Sequence, residues 1–217
     1  MVQGVKIENG CIVDVNPATG AVIDRVPVSS RAEVDAAVRA AKLAQPAWAA
    51  LSVAERTVAV KAAVRRIGAI KVTLAPLITA EMGKTLREAE SEVDDNSDMD
   101  AYCDLVAAAN APEFHGGSVI VRHAHGVVSI CAPWNYPVEE IVLLSIPALI
   151  AGNAIVIKPS EVVPHASGAG AHLHPSKASA LTWYRALTWY CSPARAFAAP
   201  DVPLLATGQQ GSPILTC

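Results

Sequence analysis

Residues 126–161 read GVVSICAPWNYPVEEIVLLSIPALIAGNAIVIKPSE, and the order of apolar runs and turn residues there decides the fold. Val127 to Cys131 is an apolar run with the length and β-branched character of a strand buried on both faces. Pro137 suits the first turn of a helix, and Glu139 and Glu140 follow where negative charge complements the helix dipole. Apolar residues then run all round as far as Ile150, so this helix is expected to be buried, with Pro147 bending or tightening its last turns. Gly152-Asn153 stops it, and Ala154 to Ile157 forms a second apolar strand closed by Pro159. A connection of that length is a βαβ crossover, which makes the two strands parallel and the crossover right-handed.

Parallel strands end on the same side of their sheet, and ligands of open α/β sheets bind outside those ends. Pro133-Trp134-Asn135 and Lys158-Pro159-Ser160-Glu161 are therefore expected to face one crevice. An indole offers a flat apolar wall, Lys158 a donor or a charge for phosphate, and Glu161 an acceptor for ribose hydroxyls. Asn135 offers an amide N–H for an oxygen that is gaining negative charge. Spacing alone leaves a plainer alternative open, in which Trp134 is a core aromatic and Lys158 and Glu161 are surface charges at a turn.

Upstream, Cys11 to Val28 holds short β-rich runs around Asn16-Pro17-Ala18-Thr19-Gly20, the composition of a hairpin or a pair of edge strands. Ser30-Arg31-Ala32-Glu33 and Ser52-Val53-Ala54-Glu55 are capping boxes, each opening a helix, and Gly68 is the expected stop of the second. Pro76 fits the first turn of a third helix, which Gly83-Lys84 interrupts or kinks. Glu88 to Asp104 then reads as a continuing helix with a solvated acidic face. Asp94, Asp95, Asp98 and Asp100 lack the glycine turn and ligand spacing of a cation loop, so no metal site is expected.

The chain has 217 residues, 52% hydrophobic and 17% charged, enough for one sizeable domain or two small ones. No apolar run reaches the ~20 residues that span a bilayer. The start, MVQGVKIENG, shows no secretory pattern. A net charge of −3 gives no footprint for nucleic acid. The 5 cysteines are odd in number and lack a C-x-x-C pair, which points to reduced thiols and a cytoplasmic location. Cys131, on a strand expected to be buried, is expected to be an inert core thiol.

The stretch from Gly126 to Pro137, with its Pro133-Trp134-Asn135, resembles the strand and P-W-N motif of the aldehyde dehydrogenase superfamily. Pro147-Ala148-Leu149 through Gly152-Asn153 to Lys158-Pro159-Ser160-Glu161 is similar to the segment that follows it. Asn16-Pro17-Ala18-Thr19-Gly20, Trp48, Glu55-Arg56 and Glu81-Met82-Gly83-Lys84 fall in the family's order, so the resemblance spans about residues 12–168. It implies an α/β fold: an N-terminal helical segment and the start of a parallel, Rossmann-like cofactor-binding sheet, incomplete at its far side. It implies NAD(P)-dependent oxidation of an aldehyde to a carboxylic acid and homo-oligomers of the full-length protein. By the same resemblance Asn135 helps form the oxyanion hole, and Trp134, Lys158, Ser160 and Glu161 stand at the cofactor. A carboxylate at Glu161 favours free ribose hydroxyls, so NAD is expected rather than NADP.

The resemblance stops where the family's nucleophilic cysteine, general base and glycine-bearing turn would follow. Gly208-Gln209-Gln210-Gly211 before Cys217 has the wrong spacing and neighbours for a catalytic-cysteine motif. Residues 169–217 instead read as a low-complexity, disordered tail that does not pair with the sheet, in which Ala180-Leu181-Thr182-Trp183-Tyr184 recurs as Ala186-Leu187-Thr188-Trp189-Tyr190. A truncated, frameshifted or mis-spliced family member, inactive alone, is the expectation for the chain. A non-catalytic nucleotide-binding or subunit-contact remnant, or a gene-model fragment without independent function, stands as the alternative.

Overall fold

The computed structural model describes residues 5–170 and 190–192. An antiparallel ribbon comes first: β1 (Ile7–Glu8), β2 (Cys11–Val15) and β3 (Val22–Pro27). Its second turn is the Asn16–Gly20 segment. Asn16 Oδ1 accepts from the Ala18 and Thr19 amides at 2.9 and 3.2 Å, and Gly20 takes φ +73°, a conformation open to a residue without Cβ.

Helices follow: α1 (Arg31–Ala49), α2 (Val53–Ala69), α3 (Lys71–Met82), α4 (Leu86–Ser97) and α5 (Asp100–Ala109). The capping boxes at Ser30 and Ser52 form as read, and Thr85 with Glu88 makes another at the start of α4. Three boundaries differ from expectation. Gly68 lies inside α2 rather than ending it; a Cβ there would meet Ser97 Cβ at 3.1 Å, so the glycine admits α4 to close contact. Pro76 lies inside α3, which starts at Lys71. Pro76 and Val72 are both exposed, so the carbonyl left without its i+4 donor can turn to water. The acidic stretch breaks at Asp98 into α4 and α5, and it faces basic neighbours as well as solvent. Lys71 pairs with Asp94, Arg65 with Asp100, and Lys61 with Asp104 at 2.7 Å.

After an exposed hairpin, β4 (Glu113–His115) and β5 (Ser118–Ile120), comes the βαβ unit: β6 (Val127–Cys131), α6 (Glu139–Ile150) and β7 (Ala154–Lys158), then α7 (Pro164–Gly170). Strands β6 and β7 are parallel neighbours, in register from Val127↔Ala154 to Cys131↔Lys158. Helix α6 covers Ile130, Ile155 and Ile157 on one face; Ala37, Val38 and Ala41 of α1 cover Val127, Ala154 and Val156 on the other. Strand β7 is buried on both faces, but β6 is not. The cover from α1 reaches Val127 and stops short of Ser129 and Cys131, so Cys131 is exposed and not the core thiol expected. Leu144 likewise leaves α6 for the surface. A short strand β8 (Tyr190–Ser192) pairs antiparallel with β7, contrary to the expectation that nothing beyond Gly168 joins the sheet. Edge pairing satisfies backbone groups that β7 would otherwise bury unmatched. The rest of that expectation falls outside the described residues, as does Cys217.

Helix α6 carries few of its own end partners. Its terminal carbonyls are buried, and a buried carbonyl without a donor costs about 1–3 kcal/mol. Trp48 Nε1 donates to Leu149 O at 2.8 Å, Arg56 Nε to Ile150 O at 2.9 Å, and Gln45 Nε2 to Gly152 O at 3.0 Å. Asn153 closes the turn, donating to Ala148 O at 2.9 Å and accepting the Gly126 amide at 3.0 Å. The motif residues Trp48 and Arg56 are thus the C-terminal caps of a helix roughly a hundred positions away.

A buried polar cluster joins the ribbon, α3 and α7. Glu81 accepts the amides of His165, at 2.7 Å, and Ala166, at the start of α7. Asp14 stands beside it, with His165 Nε2 3.7 Å from Asp14 Oδ2 and 3.5 Å from Asp24 Oδ2. Burial first, then the Asp14 charge, pushes the Glu81 carboxyl up to about 9; burial pushes Asp14 up to about 6. Burial holds His165 below its ordinary value. The two amides favour an ionised Glu81, but burial next to a second carboxylate outweighs them, and Glu81 keeps the shared proton. A carboxyl raised on folding contributes stability that is full below its unfolded pKa and lost as pH rises through the folded one. A lowered histidine works on the other side, costing stability as pH falls below its ordinary value. Stability is therefore expected to fall from pH 6 to pH 9.5 in wild type. In Glu81→Gln that slope should flatten, at a cost of about 1–2 kcal/mol at pH 6 for the amide acceptor lost. Urea unfolding across that pH range checks it; an unchanged slope in the variant would remove Glu81 as its source.

Candidate active site

The two loops past the carboxyl ends of β6 and β7 leave the sheet at one level, because Ala132 N still donates to Lys158 O at 2.9 Å. This places Pro133-Trp134-Asn135 beside Pro159-Ser160-Glu161, as the parallel reading requires. Trp134 is 45% exposed and so is not a core aromatic; Asn135 is exposed beside it. Both line a cavity of about 520 Å³ that opens between this loop and the segment from Met82 through α4. Lys158, Ser160 and Glu161 are not part of that cavity and form the neighbouring wall past β7.

The loop that carries Asn135 is held from below. Val138, the N-cap position of α6, has no side-chain cap of its own. Glu92, on α4 and 4% exposed, reaches across: Oε1 accepts the amides of Val138 at 3.0 Å and Glu139 at 3.3 Å. Its other oxygen pairs with Lys84, whose ammonium stands 3.7 Å from the centroid of the Tyr136 ring. Carboxylate, ammonium and ring form one chain from α4 to the residue after Asn135. A carboxylate at a helix N-terminus and a cation over an aromatic face are each favourable contacts, and burial strengthens both. Sequence reasoning missed Glu92 and Lys84 as parts of the site, since the contact spans 46 positions. The one local signal was Gly83, which ends α3 at φ +87° and turns Lys84 back toward the loop.

In the second wall Lys158 pairs with Glu161 and donates to Pro159 O at 3.1 Å. The Lys158 hydrogen bond holds the Glu161 carboxyl below its usual range, so it stays ionised and an acceptor. Ser160 is buried, and its Oγ accepts the Val162 amide at 3.2 Å, which fixes the turn that presents Glu161. A donor and an acceptor side by side on this turn can hydrogen-bond a ligand's hydroxyls. As for cations, Asp14, Glu81 and His165 are the group among the described residues whose ligand atoms lie within 4.8 Å of one another. Both Glu81 oxygens there already accept amides of α7.

Breaking a buried ion pair from the side that also caps a helix is the costlier cut. Glu92→Ala leaves Lys84 unpaired and two α6 amides without acceptors, and is expected to cost about 3–5 kcal/mol. Lys84→Met leaves Glu92 its two amide donors and should cost about 1–3 kcal/mol. Urea midpoints in the reverse order would show that Glu92 does not cap α6.

The sequence model of the aldehyde dehydrogenase family matches residues 5–175. An N-succinylglutamate 5-semialdehyde dehydrogenase of Chromobacterium violaceum is 38% identical over 157 residues, 69% of this chain and 32% of that protein. Among solved structures, an NAD-dependent benzaldehyde dehydrogenase from Corynebacterium glutamicum superposes with TM-score 0.69 at 29% identity, over 76% of this chain and 38% of the other. An NADP-dependent glyceraldehyde-3-phosphate dehydrogenase from Bacillus halodurans gives TM-score 0.66 at 29% identity, over 73% and 36%. The chain thus spans about a third of the length of these relatives. The match takes in the ribbon, the helical segment and the βαβ unit with both of its loops, and by it this chain belongs to the aldehyde dehydrogenase family.

Proposed function

We propose that this chain forms part of an enzyme that oxidises an aldehyde to a carboxylic acid with NAD, supplying the oxyanion donor and one wall of the cofactor site. The observation that carries the reading is Asn135, exposed at a cavity just past a parallel strand pair, on a loop braced by Glu92 and Lys84. When a nucleophile adds to an aldehyde, the carbonyl oxygen gains negative charge. In this reading the Asn135 amide N–H receives it, a contribution of roughly 10²–10³ in rate for a pre-positioned donor. Trp134 gives the flat wall, and Lys158 and Glu161 the donor and acceptor for ribose hydroxyls, on the turn that Ser160 fixes. Bound NAD supplies the acceptor for the aldehyde hydrogen as hydride. Glu161, kept ionised by Lys158, repels a 2′-phosphate, which favours NAD over NADP.

No residue of this chain is assigned as attacking thiolate or general base. Burial pushes the Cys103 thiol up to about 11, the wrong direction for a nucleophile. A cytoplasmic, homo-oligomeric enzyme fits the free cysteines and the exposed Phe114, Val119 and Ile120 of the β4–β5 hairpin. Among the described residues no helix is long and apolar enough to cross a membrane. That apolar hairpin also favours the second reading, a non-catalytic nucleotide-binding or subunit-contact piece.

The isolated chain is expected to bind NAD more tightly than NADP by calorimetry, to lose that preference in Glu161→Gln, and to form no NADH with aliphatic or aromatic aldehydes. Turnover abolished by Cys217→Ala would show that the chain holds its own nucleophile. Equal affinity for both cofactors in wild type would remove Glu161 from the ribose.

A further inference from the structure

The cavity beside Asn135 is charged with one sign. Four carboxylates, Glu88, Glu92, Asp95 and Glu139, line it against the single ammonium of Lys84, a net of −3. Lys84 is committed to Glu92, Glu88 accepts the Thr85 amide and hydroxyl in its capping box, and no described ion pair neutralises Asp95 or Glu139. Two aromatic residues share the wall with Met82, Ser91 and Asn135: Trp134 and Tyr136, each 45% exposed. Lys84 itself shows what this lining accepts: its ammonium rests between a carboxylate and the Tyr136 face, 3.7 Å from the ring centroid. Glu139 is pushed above the usual carboxylate range by burial, then by Glu92 and Glu140, so a second cation near it would relieve an existing repulsion.

Cavity, aromatic walls and unmatched carboxylates therefore select for charge. We propose that the aldehyde this site takes carries an ammonium group, with its carbonyl toward Asn135 and its cationic end between Asp95, Glu139 and the aromatic wall. The proposal rests on the reading of the cavity as an aldehyde site and adds the substrate's chemical class. A carboxylate-bearing aldehyde would meet like charge on entering, and a neutral one would leave the carboxylates unmatched.

Three amides of similar length mimic the aldehyde carbonyl without reacting: 4-aminobutanamide as cation, pentanamide as neutral, and succinamate as anion. The 217-residue chain is titrated with each, following affinity by calorimetry and position by amide NMR shifts. The cation is expected to bind roughly tenfold more tightly than pentanamide, with shifts at Trp134 to Tyr136, and succinamate more weakly than either. The preference should shrink with added salt. Asp95→Asn, alone and with Glu139→Gln, should reduce the cation's advantage in step, and circular dichroism of the single variant guards against loss of fold. Pentanamide or succinamate binding at those residues as tightly as the cation would overturn the proposed class and leave the aldehyde reading standing. Shifts at Trp134 to Tyr136 with none of the three would overturn both.

Discussion

Helix α6 is buried along most of its length, and a buried helix cannot leave its terminal amides and carbonyls to water. It has no side-chain cap at its own N-cap residue, and its last carbonyls find donors on α1 and α2. The N-terminal helical segment is therefore what allows the βαβ unit to fold where it does. Trp48, Arg56 and Gln45 fix one end, Glu92 the other. Moving α6 would unmatch several buried polar groups at once, so the position of the crossover is determined rather than merely permitted.

The same constraint anchors the loop of the candidate site. The amides that Glu92 caps at the N-terminus of α6, those of Val138 and Glu139, follow directly on the loop that presents Asn135. One carboxylate thus serves stability and placement together, and Lys84 extends it to the Tyr136 ring. An amide that stabilises a developing charge is effective when its orientation is set beforehand, because no reorganisation is then needed as the charge forms. A carboxylate borrowed from another helix is used a second time in the fold, where Glu81 of α3 takes the first amides of α7. There the neighbouring Asp14 raises the cost of ionisation, whereas Glu92 has Lys84 as its counter-charge. The difference in neighbours makes the first a proton-holding cluster and the second an ion pair.

The exposed half of β6 follows from where its cover ends. Helix α1 packs on Val127 and β7, and past that point the face carrying Ser129 and Cys131 is open. With β8 on the far side of β7, the described sheet has β7 at its centre and β6 at an edge. An edge strand with a polar serine on its open face is less inviting to a further strand than an unbroken apolar one.

Local chemistry was legible from the chain alone. The capping boxes at Ser30 and Ser52, the Asn16–Gly20 turn and the parallel pair around α6 follow from spacings of a few residues, because turn geometry and hydrophobic period act over that range. Those features sufficed to put the loop of Trp134 and Asn135 and the loop of Lys158 and Glu161 past the same ends of two paired strands. Helix ends were less secure where a residue's usual preference met tertiary contact: Gly68 continues its helix because Ser97 presses close, and Pro76 sits where its orphaned carbonyl can reach water. Burial of Cys131 could not be read, since an apolar strand gives no sign of how far its covering helix extends. Only the tertiary structure decided that Glu92 caps α6, that Lys84 stands over Tyr136, and that the cavity beside Asn135 gathers carboxylates from α4 and α6. Those contacts join positions far apart in the chain, where no local spacing records them, and they arise because buried backbone groups take whichever donor or acceptor the packing brings within reach.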